Sequence, residues 1–459
     1  MSRLVVASNR CTVPRAGAAP GGLAVALNSA LKARQGIWFG WDGSVGEESR
    51  RRAQRETRDG IDYATVPLAR RDYEGYYKGY ANRVLWPLFH YRVDAVQFDA
   101  SYREAYYRTN DYLARKLHHL LEVDDTVWVQ DYHLIPLAHG LRAAGFRGAL
   151  GFFLHIPFPP YDVLRALPGH KHLLGHFAAY DLIGFQTDND LRNCLDAVRR
   201  ALGAETDDHG RIRWGDSQSR AAAFPISIDA DEVRAMVGTG RDAKIVQQLK
   251  ESLRERALVV GVDRLDYSKG LPDRFQAYQR MLSKYPETIG QVVYLQVAQP
   301  SRGDVPEYGS LRHRLEGIVG EINGHFAEFD WVPLRYVNKS YARPTVMNFL
   351  ALARVGLVTP LRDGMNLVAK EYIACQNPAD PGVLVLSEMA GAAAELLSAV
   401  QVNPHDYDAV ANAILLALRM PLEERRARWE DAYSVVTGQD VFAWSAQFLR
   451  ALDSAALAG

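Results

Sequence analysis

Short apolar runs alternate with amphipathic stretches along this chain, and that alternation restricts it to few folds. Nine runs rich in Val, Leu, Ile and Phe are predicted strands. The segments between them, such as residues 107–121 and 274–282, have helical periodicity. Continuous apolar runs are typical of parallel strands buried on both faces, and strands that alternate with helices indicate an α/β fold. The predicted strands are residues 4–8, 126–130, 149–155, 182–186, 258–263, 292–298, 355–359, 383–387 and 400–403.

The length of 459 residues predicts two domains, because one ordinary core does not grow so large. We place the boundary near Ala230, before a glycine turn, a charged helix and a fresh apolar strand. Each half is expected to form its own doubly wound sheet, with a cleft between the halves. The aromatic segment 63–92 is interpreted as a loop-like insertion over that cleft. The predicted divisions are residues 1–230, residues 231–440, and a C-terminal helix at 441–459 that packs back toward the first domain.

The charge balance and the cysteines exclude several classes of protein. Lys and Arg together number 54, as do Asp and Glu, so a general nucleic-acid or membrane-surface role is not expected. The three cysteines are scattered, which predicts neither a disulfide framework nor a zinc site and suits a reducing cytoplasm. No apolar run approaches the roughly 20 residues of a membrane span, and the N-terminus does not resemble a signal peptide. A cytoplasmic protein is therefore expected.

Five polar turns follow predicted strands, and the carboxyl ends of parallel strands share one edge of a sheet. Singly, each turn has an ordinary structural explanation, such as a turn former or a solvated charge. Together they favour a ligand-binding cleft. The segment 359–371 is the most informative, because its turn contains Asp363 and opens a helix whose first N–H groups suit a phosphate. Glu371 follows one turn later, within reach of a sugar hydroxyl. The turns lie at residues 8–10, 131–133, 155–157, 264–270 and 359–366.

Two sets of basic residues indicate two phosphate sites. Arg264 and Lys269 flank one turn, and Gly270 lets the backbone approach a ligand closely. This pair suits a diphosphate, because charge-assisted hydrogen bonds contribute about 1.5–3 kcal/mol each. Arg10 and Arg302 follow strands in different halves and form the second set, which suits a second phosphate.

Two other patterns each have a functional and a structural explanation. Tyr77 and Trp86 suit the wall of a sugar site, although aromatic-rich segments are more often simply packed. The Asp-x-Asp triplets at 188–190 and 229–231 resemble the metal ligands of some transferases, but we interpret both as helix caps. Cationic side chains and helix dipoles would then supply the positive charge that a metal ion provides in other transferases.

A series of motifs then makes one resemblance specific. SNR, GGLA, WFGW, DYHL, FFLHIPFP, GFQT, RLDYSKG, SRGD, RDGMNLVAKE and GVLVLSEMAGAA occur in this order between residues 3 and 406. Together they resemble glycosyltransferase family 20, the trehalose-6-phosphate synthases, which are retaining nucleotide-sugar glycosyltransferases of the GT-B type.

The resemblance implies two Rossmann-like domains, the first binding the acceptor and the second the nucleotide sugar. The implied reaction transfers glucose from UDP-glucose to glucose 6-phosphate with retention, giving α,α-trehalose 6-phosphate and UDP. No cofactor or metal is expected, since UDP-glucose is a substrate. The chain is also expected to form a homo-oligomer, either a dimer or a tetramer. Two alternatives stay open: another phosphorylated acceptor, such as glycerol 3-phosphate, and a non-catalytic sugar-phosphate sensor.

The resemblance also assigns residues by matching motif. Residues implied to bind the donor are Gly22, Arg264, Lys269, Tyr341, Asp363, Leu367, Val368, Ala369, Lys370 and Glu371. Residues implied to bind the acceptor are Arg10, Tyr77, Trp86, Asp131 and Arg302. Residues implied to be catalytic are Arg264, Lys269, His155, Asp131 and Asp363.

The implied roles divide the donor among several residues. Arg264 and Lys269 would bind the diphosphate, with backbone N–H groups at the start of the helix. Asp363 would hold the transferred glucose, Glu371 the ribose, and His155 would lie against the glucose near the reacting carbon. The acceptor phosphate would be held by Arg10, Tyr77 and Arg302, and its sugar by Asp131 and Trp86.

Three departures from the family pattern, one of them a variable loop at residues 11–20, put the preferred donor base in doubt. Gln130 stands before Asp-Tyr-His where a histidine is common, and Tyr341 stands where phenylalanine is frequent near the uracil. UDP, ADP and GDP donors therefore stay open. The sequence also marks no obvious carboxylate nucleophile, and the family is thought to use front-face attack.

Overall fold

The computed structural model describes residues 2–13, 22–46, 53–239, 243–301 and 306–457. The chain divides into two compact units. The first unit comprises Met1–Ile226 with Val441–Gly459, and the second comprises Ser227–Asp440. The sequence-based boundary, after residue 230, lies a few residues beyond this division.

Ten described strands form the sheet of the first unit, in the order β3-β4-β2-β1-β5-β6-β7-β10-β9-β8. The seven strands from β4 to β10 in this order are parallel, while β3, β8 and β9 pair antiparallel at the two edges. The strands are β1 (Leu4–Arg10), β2 (Ile37–Val45), β3 (Gln54–Arg58), β4 (Ile61–Leu68), β5 (Thr126–Gln130), β6 (Leu150–Phe153), β7 (Leu182–Phe185), β8 (Glu205–Thr206), β9 (Arg211–Trp214) and β10 (Ser217–Ala223).

Helices connect these strands and cover the sheet. The longest is Ala100–His118, whose N-cap Asp99 accepts a hydrogen bond from the backbone N–H of Ser101 at 2.7 Å. The other α-helices of this unit are Gly22–Ala33, Arg70–Asp72, Trp86–Phe89, Leu137–Ala143, Tyr161–Leu164, His170–Gly175, Asp188–Leu202 and Val441–Ala456.

The interpretation of segment 63–92 as loop-like is wrong, and its being an insertion stays a prediction. Its first residues belong to β4, and residues 70–89 are continuously helical, with π-helical turns over Tyr73–Leu85. Two glycines in the helical part allow it to pack closely on its neighbours. A Cβ on Gly75 would lie 2.5 Å from the Cβ of Ala105, and one on Gly79 would lie 2.6 Å from the ring of Tyr102.

The C-terminal helix Val441–Ala456 packs on the sheet of the first unit. The Phe448 ring stacks on Trp128 of β5 with centroids 4.5 Å apart, and the Trp444 indole N–H donates to the Phe224 carbonyl at 3.1 Å. Gly151 of β6 leaves room for this helix, because a Cβ there would lie 2.8 Å from Leu452.

Six described strands form the parallel sheet of the second unit, in the order β13-β12-β11-β14-β15-β16. The strands are β11 (Ala257–Arg264), β12 (Val292–Gln299), β13 (Leu334–Val337), β14 (Val355–Val358), β15 (Val383–Ser387) and β16 (Val400–Val402). Its α-helices are Ala230–Met236, Ala243–Leu253, Leu271–Lys284, Pro306–Phe326, Arg343–Leu352, Leu367–Cys375, Tyr407–Arg419 and Leu422–Gly438.

Both sheets have a doubly wound topology. In the second unit the chain adds β11, β12 and β13 outward from the centre and then returns to β14 on the other side of β11, which is the Rossmann order. The parallel strands at the centre of the first sheet follow the same order, with β1, β2 and β4 on one side and β5, β6 and β7 on the other. All nine predicted strands are confirmed, each overlapping an observed one. The predicted α/β class with two Rossmann-like sheets is therefore confirmed.

Among the helices that the structure describes, none combines the length and the apolar character needed to cross a bilayer.

Candidate functional site

The direction of the chain reverses between β11 and β14 in the second unit. From β11 the chain proceeds to β12 and β13 on one side and then returns to β14 on the other. Ligands of open α/β sheets bind outside the carboxyl ends of the strands at such a switch point. Arg264 ends β11 and Lys269 lies in the turn after it, while the turn with Asp363 follows β14, so the topology brings the predicted donor residues to one edge of the sheet.

Hydrogen bonds join these two turns directly. The backbone N–H of Leu361 donates to the Ser268 carbonyl at 2.9 Å. The Lys269 ammonium pairs with the Asp363 carboxylate, and both side chains are mostly buried. Gly270 has φ of +63°, and a Cβ there would lie 3.0 Å from the Leu361 side chain. The glycine therefore permits the close approach that sets Lys269 beside Asp363.

The helix Leu367–Cys375 begins at this edge. Its N-cap, Asn366, has φ of +75°, and its side-chain amide donates to Asp363 Oδ2 at 3.0 Å. Asn366 Oδ1 is buried and has no hydrogen-bond partner. The first N–H groups of a helix lack intrahelical acceptors, so the segment at Leu367 and Val368 offers donors beside a cation. This arrangement can bind an anion.

Arg274, which was not among the predicted site residues, makes hydrogen bonds to the residues at this edge of the sheet. It is 1% exposed. Its guanidinium donates to Thr359 Oγ1 at 2.9 Å, to Asp263 Oδ2 at 2.5 Å and to the Lys269 carbonyl at 3.2 Å. One side chain therefore fixes the ends of β11 and β14 and the lysine turn. A signal was present in the sequence, because Arg274 shares the apolar helical spacing of Leu271 and Tyr278.

The remaining donor candidates differ in their surroundings. Glu371 Oε1 accepts a hydrogen bond from Arg343 at 3.2 Å; burial raises the pKa of Glu371, and the Arg343 charge opposes that rise. Lys370 is 1% exposed and pairs with Glu395 at 2.7 Å, and burial lowers the pKa of Lys370. Its ammonium points into the interior, so a contribution to ligand binding is limited to its backbone.

Three further residues were predicted to bind the donor. Tyr341 is half-buried, with its ring edge on Phe349 at a centroid distance of 5.3 Å. Ala369 is fully buried, and its N–H donates to the Asn366 carbonyl at 3.3 Å. Gly22 is the first residue of helix Gly22–Ala33, in the first unit.

The first unit has its own switch point, between β1 and β5. Arg10 ends β1, and Asp131 follows β5. Asp131 has φ of +72°, an uncommon conformation for a residue other than glycine. Its Oδ1 accepts the backbone N–H of His155 at 3.2 Å, and its own N–H donates to the Phe153 carbonyl at 2.8 Å. Strain of this kind is often found at functional sites.

His155 is held between two glutamines. Its Nε2 lies 2.8 Å from Gln130 Oε1, and the Gln186 amide nitrogen lies 3.5 Å from its Nδ1. Burial lowers the pKa of His155 to about 3, so the imidazole is neutral at ordinary pH. The bond to the Gln130 carbonyl oxygen requires the proton on Nε2. Sequence reasoning noted Gln130 only as a departure and did not identify this contact.

Aromatic rings line the polar edge of the first unit. The exposed Arg10 guanidinium lies 5.5 Å from the ring centre of Trp41, and the Tyr77 ring is 5.5 Å from the same ring. Tyr77 also stacks on His133 at 6.0 Å. Trp86 differs, because only 4% of it is exposed and it packs against other rings. The structure shows Trp86 as a packed ring, and its contact with a sugar stays a prediction.

Arg302 and residues 14–20 lie outside the described residues. Both Asp-x-Asp triplets lie at capped helix starts, as interpreted. The Thr187 hydroxyl accepts the Asp190 N–H at 3.2 Å, and Asp229 Oδ1 accepts the Glu232 N–H at 2.8 Å.

Comparison with known proteins adds to this geometry. The sequence pattern of Glycosyltransferase family 20 matches residues 7–454. A trehalose-6-phosphate synthase from Enterobacter sp. (strain 638) is 47% identical over 454 residues, covering 98% of this chain and 95% of the relative.

Two solved structures are similarly close. An alpha,alpha-trehalose-phosphate synthase (UDP-forming) from Burkholderia xenovorans, in complex with glucose-6-phosphate, is 46% identical with a TM-score of 0.94. The match covers 98% of this chain and 100% of that one. An E. coli protein bound with UDP-2-fluoro glucose is 45% identical with a TM-score of 0.95, over 98% of this chain and 99% of that one. These matches confirm the predicted GT-B fold class.

Proposed function

The chain belongs to glycosyltransferase family 20, and from that membership we propose that it transfers glucose from UDP-glucose to glucose 6-phosphate. The products are α,α-trehalose 6-phosphate and UDP. The observation that carries the proposal is whole-length similarity, at 47% identity over 98% of the chain, to a protein named for this product. Relatives solved with glucose-6-phosphate and with a UDP-sugar analogue support the choice of both substrates.

The switch point of the second unit suits the leaving group. Breaking a glycosyl–phosphate bond places negative charge on the departing diphosphate, and donors fixed in advance stabilise such charge most effectively. We assign this role to Arg264, Lys269 and the start of helix Leu367–Cys375. The ion pair with Asp363 holds the ammonium in place before the substrate arrives.

The switch point of the first unit suits the acceptor. Arg10 is exposed beside Trp41 and Tyr77, so a cation and aromatic faces are available together. Gripping the acceptor by its phosphate would orient its sugar hydroxyl for attack. Arg302 remains a proposed second cation at this site. The neutral His155 and the strained Asp131 turn are proposed to lie nearest the reacting carbon.

We propose front-face attack with retention. Double displacement needs a carboxylate nucleophile close under the sugar. Asp363 is paired with Lys269, Glu371 with Arg343, and Asp131 accepts the His155 N–H, so each candidate carboxylate already has a structural partner. The departing phosphate oxygen would then take the acceptor proton. Trapping a glycosylated carboxylate in the chain would contradict this mechanism.

One assay tests the reaction as a whole. NMR of the product formed from UDP-glucose and glucose 6-phosphate reports the linkage and the anomeric configuration together, and an α,α-linked phosphorylated disaccharide is expected. Glycerol 3-phosphate in place of glucose 6-phosphate should release little UDP. Binding of glucose 6-phosphate without turnover would instead identify a sensor. ADP-glucose and GDP-glucose tested in parallel would show the preferred base.

The lysine turn is tested by Lys269→Met. Removing one preorganised donor is expected to lower kcat by about 10²–10³-fold. Lys250→Met is the matched control, because Lys250 is exposed on helix Ala243–Leu253 and should leave kcat unchanged. Equal kcat values for the two variants would contradict the role of Lys269.

Three further expectations remain proposals. We propose that no metal is required, because the cations and the helix start supply positive charge to the diphosphate. We also propose a homo-oligomer, dimer or tetramer, which light scattering would measure. The cytoplasmic location is proposed from the scattered cysteines.

A further inference from the structure

Two buried glutamines flank His155 at the ends of neighbouring strands. In the sheet of the first unit β6 lies between β5 and β7, and His155 follows β6 by two residues. Gln130 is the last residue of β5, where it pairs with Phe153 of β6, and Gln186 is the first residue after β7. The two amides therefore reach the imidazole from opposite sides of the same strand.

The backbone fixes the orientation of the Gln186 amide. The Ile226 N–H donates to Gln186 Oε1 at 3.0 Å, and both residues are buried. An N–H cannot pair with an amide NH2 group, so the amide oxygen has to face Ile226. Gln186 Nε2 then lies 3.5 Å from His155 Nδ1 and directs a donor at it. Nδ1 therefore carries no proton, and the proton of the neutral imidazole is on Nε2.

The Gln130 amide completes this chain of contacts. Its Oε1 lies 2.8 Å from His155 Nε2 and accepts the hydrogen bond of the Nε2–H group. Gln130 Nε2 is buried and has no hydrogen-bond partner. Turning the amide over would bring its NH2 group against the Nε2–H, so the acceptor at His155 is kept while the amide nitrogen goes unpaired. Buried groups without a partner are uncommon, and a functional role is one known reason for them.

The same strand end also holds the main chain of His155. Asp131, the residue after Gln130, accepts the His155 N–H through Oδ1 at 3.2 Å. Two consecutive residues therefore fix the ring and the backbone of His155. Turning the ring by half a revolution would put carbon atoms at both amide contacts, so the two glutamines select one ring orientation as well as one tautomer.

We propose that Gln130 is a positioning residue for glucosyl transfer, because it keeps His155 as the Nε2–H tautomer in one ring orientation. The proposal rests on the proposed function, which places His155 near the reacting carbon. Hydrogen bonds to the two ring nitrogens decide which of them carries the proton. With an amide at each nitrogen, the imidazole neither gives nor takes a proton and acts as a fixed, neutral group. The departing phosphate oxygen is then left to take the acceptor proton.

Nitrogen-15 NMR of the imidazoles in the full-length, labelled chain measures the tautomer directly. Protonated and unprotonated ring nitrogens have clearly different shifts, and His155→Gln identifies the His155 signals by their loss. At pH 7 without substrates, the His155 ring is expected to show one tautomer, with Nε2 protonated and Nδ1 unprotonated. An Nδ1–H tautomer, or a mixture of the two, would overturn the proposal.

Three variants connect the tautomer with turnover. Gln130→Met has a similar length but no acceptor, so His155 is expected to populate both tautomers and kcat to fall about tenfold, as for one lost hydrogen bond. The KM for glucose 6-phosphate should change much less. Gln130→His restores an acceptor with the residue common at this position in the family, and should keep the Nε2–H signal and most of kcat. Gln218→Met, the same change at an exposed residue of β10, is the control and should match the parent.

The outcomes separate the role of Gln130 from the proposed function. A lower kcat in Gln130→Met with an unchanged His155 tautomer would refute the positioning role, and so would a changed tautomer with an unchanged kcat. A parent chain that forms no trehalose 6-phosphate would instead refute the proposed function, whatever the state of the ring. The spectrum of the parent needs no variant of Gln130, so it can overturn the proposal even where Gln130→Met does not fold.

Discussion

Replacing Arg274 by methionine is expected to lower the unfolding free energy of the second unit by about 3–5 kcal/mol, the usual effect of removing one partner of a buried ion pair. The side chains of Arg274 and Asp263 are 0% and 3% exposed. The variant would leave the buried Asp263 carboxylate with Gln296 Nε2, at 3.2 Å, as a weaker neutral donor. Thr359 Oγ1 and the Lys269 carbonyl would also lose a donor.

Arg280→Met is the matched control on the same helix, Leu271–Lys284. Arg280 pairs with Asp408 at 3.0 Å, but both side chains are about half exposed. Such surface pairs contribute at most about 1 kcal/mol. Urea denaturation of both variants, followed by hydrogen exchange of this helix, separates the second unit from the first. Equal losses in the two variants would refute the reasoning.

The same substitution should also change catalysis, because Arg274 fixes the lysine turn. Below the unfolding range of Arg274→Met, the KM for UDP-glucose should rise more than the KM for glucose 6-phosphate. An equal rise in both would mean that Arg274 acts only on stability.

Three other predictions follow from the structure. Gly79→Ala should lower the unfolding free energy by about 1–3 kcal/mol, because its Cβ would lie 2.6 Å from the Tyr102 ring. Gly317→Ala is the control, because Gly317 has open space around it in helix Pro306–Phe326. In the same thermal denaturation experiment it should raise the unfolding free energy by about 0.5–1 kcal/mol. The pKa of His155 is about 3 in the folded chain, below its value in the unfolded chain, so below pH 6.5 the unfolded chain binds a proton that the folded chain does not bind. The unfolding free energy of the parent should therefore fall by up to about 2 kcal/mol between pH 7 and pH 5, and that of His155→Gln should not show this loss. Equal losses in the parent and the variant would contradict this. Treatment with EDTA should leave turnover unchanged, and loss of activity that Mg²⁺ or Mn²⁺ restores would contradict the metal-free proposal.

The sequence predicted the parallel strands well because their signal is local. A strand buried on both faces has to be apolar throughout, and each of the nine predicted runs has that composition. The polar residues that follow β1, β5, β11 and β14 were visible for the same reason. Their position at a strand end is read directly from the chain.

The edge strands were missed because their side chains face water. β3 has the sequence QRETR and is almost wholly exposed, and β9 is mostly exposed too, so neither shows an apolar run. The helical segment at residues 70–89 was predicted to be loop-like, and the contacts made by its glycines Gly75 and Gly79 could not be predicted. Their role as contact points depends on Ala105 and Tyr102, residues that the sequence alone does not bring near.

The sequence by itself determined the alternating architecture and the residue types at the strand ends. Only the tertiary structure decided that Lys269 pairs with Asp363, 94 positions later in the chain, and that Arg274 supports both turns. It likewise decided that Lys370 points inward and that Gln130 and Gln186 hold His155 between them. Apolar periodicity is a local property, whereas pairing between charges requires positions far apart in the chain to be fixed within about 3 Å of each other by the packing of the sheet.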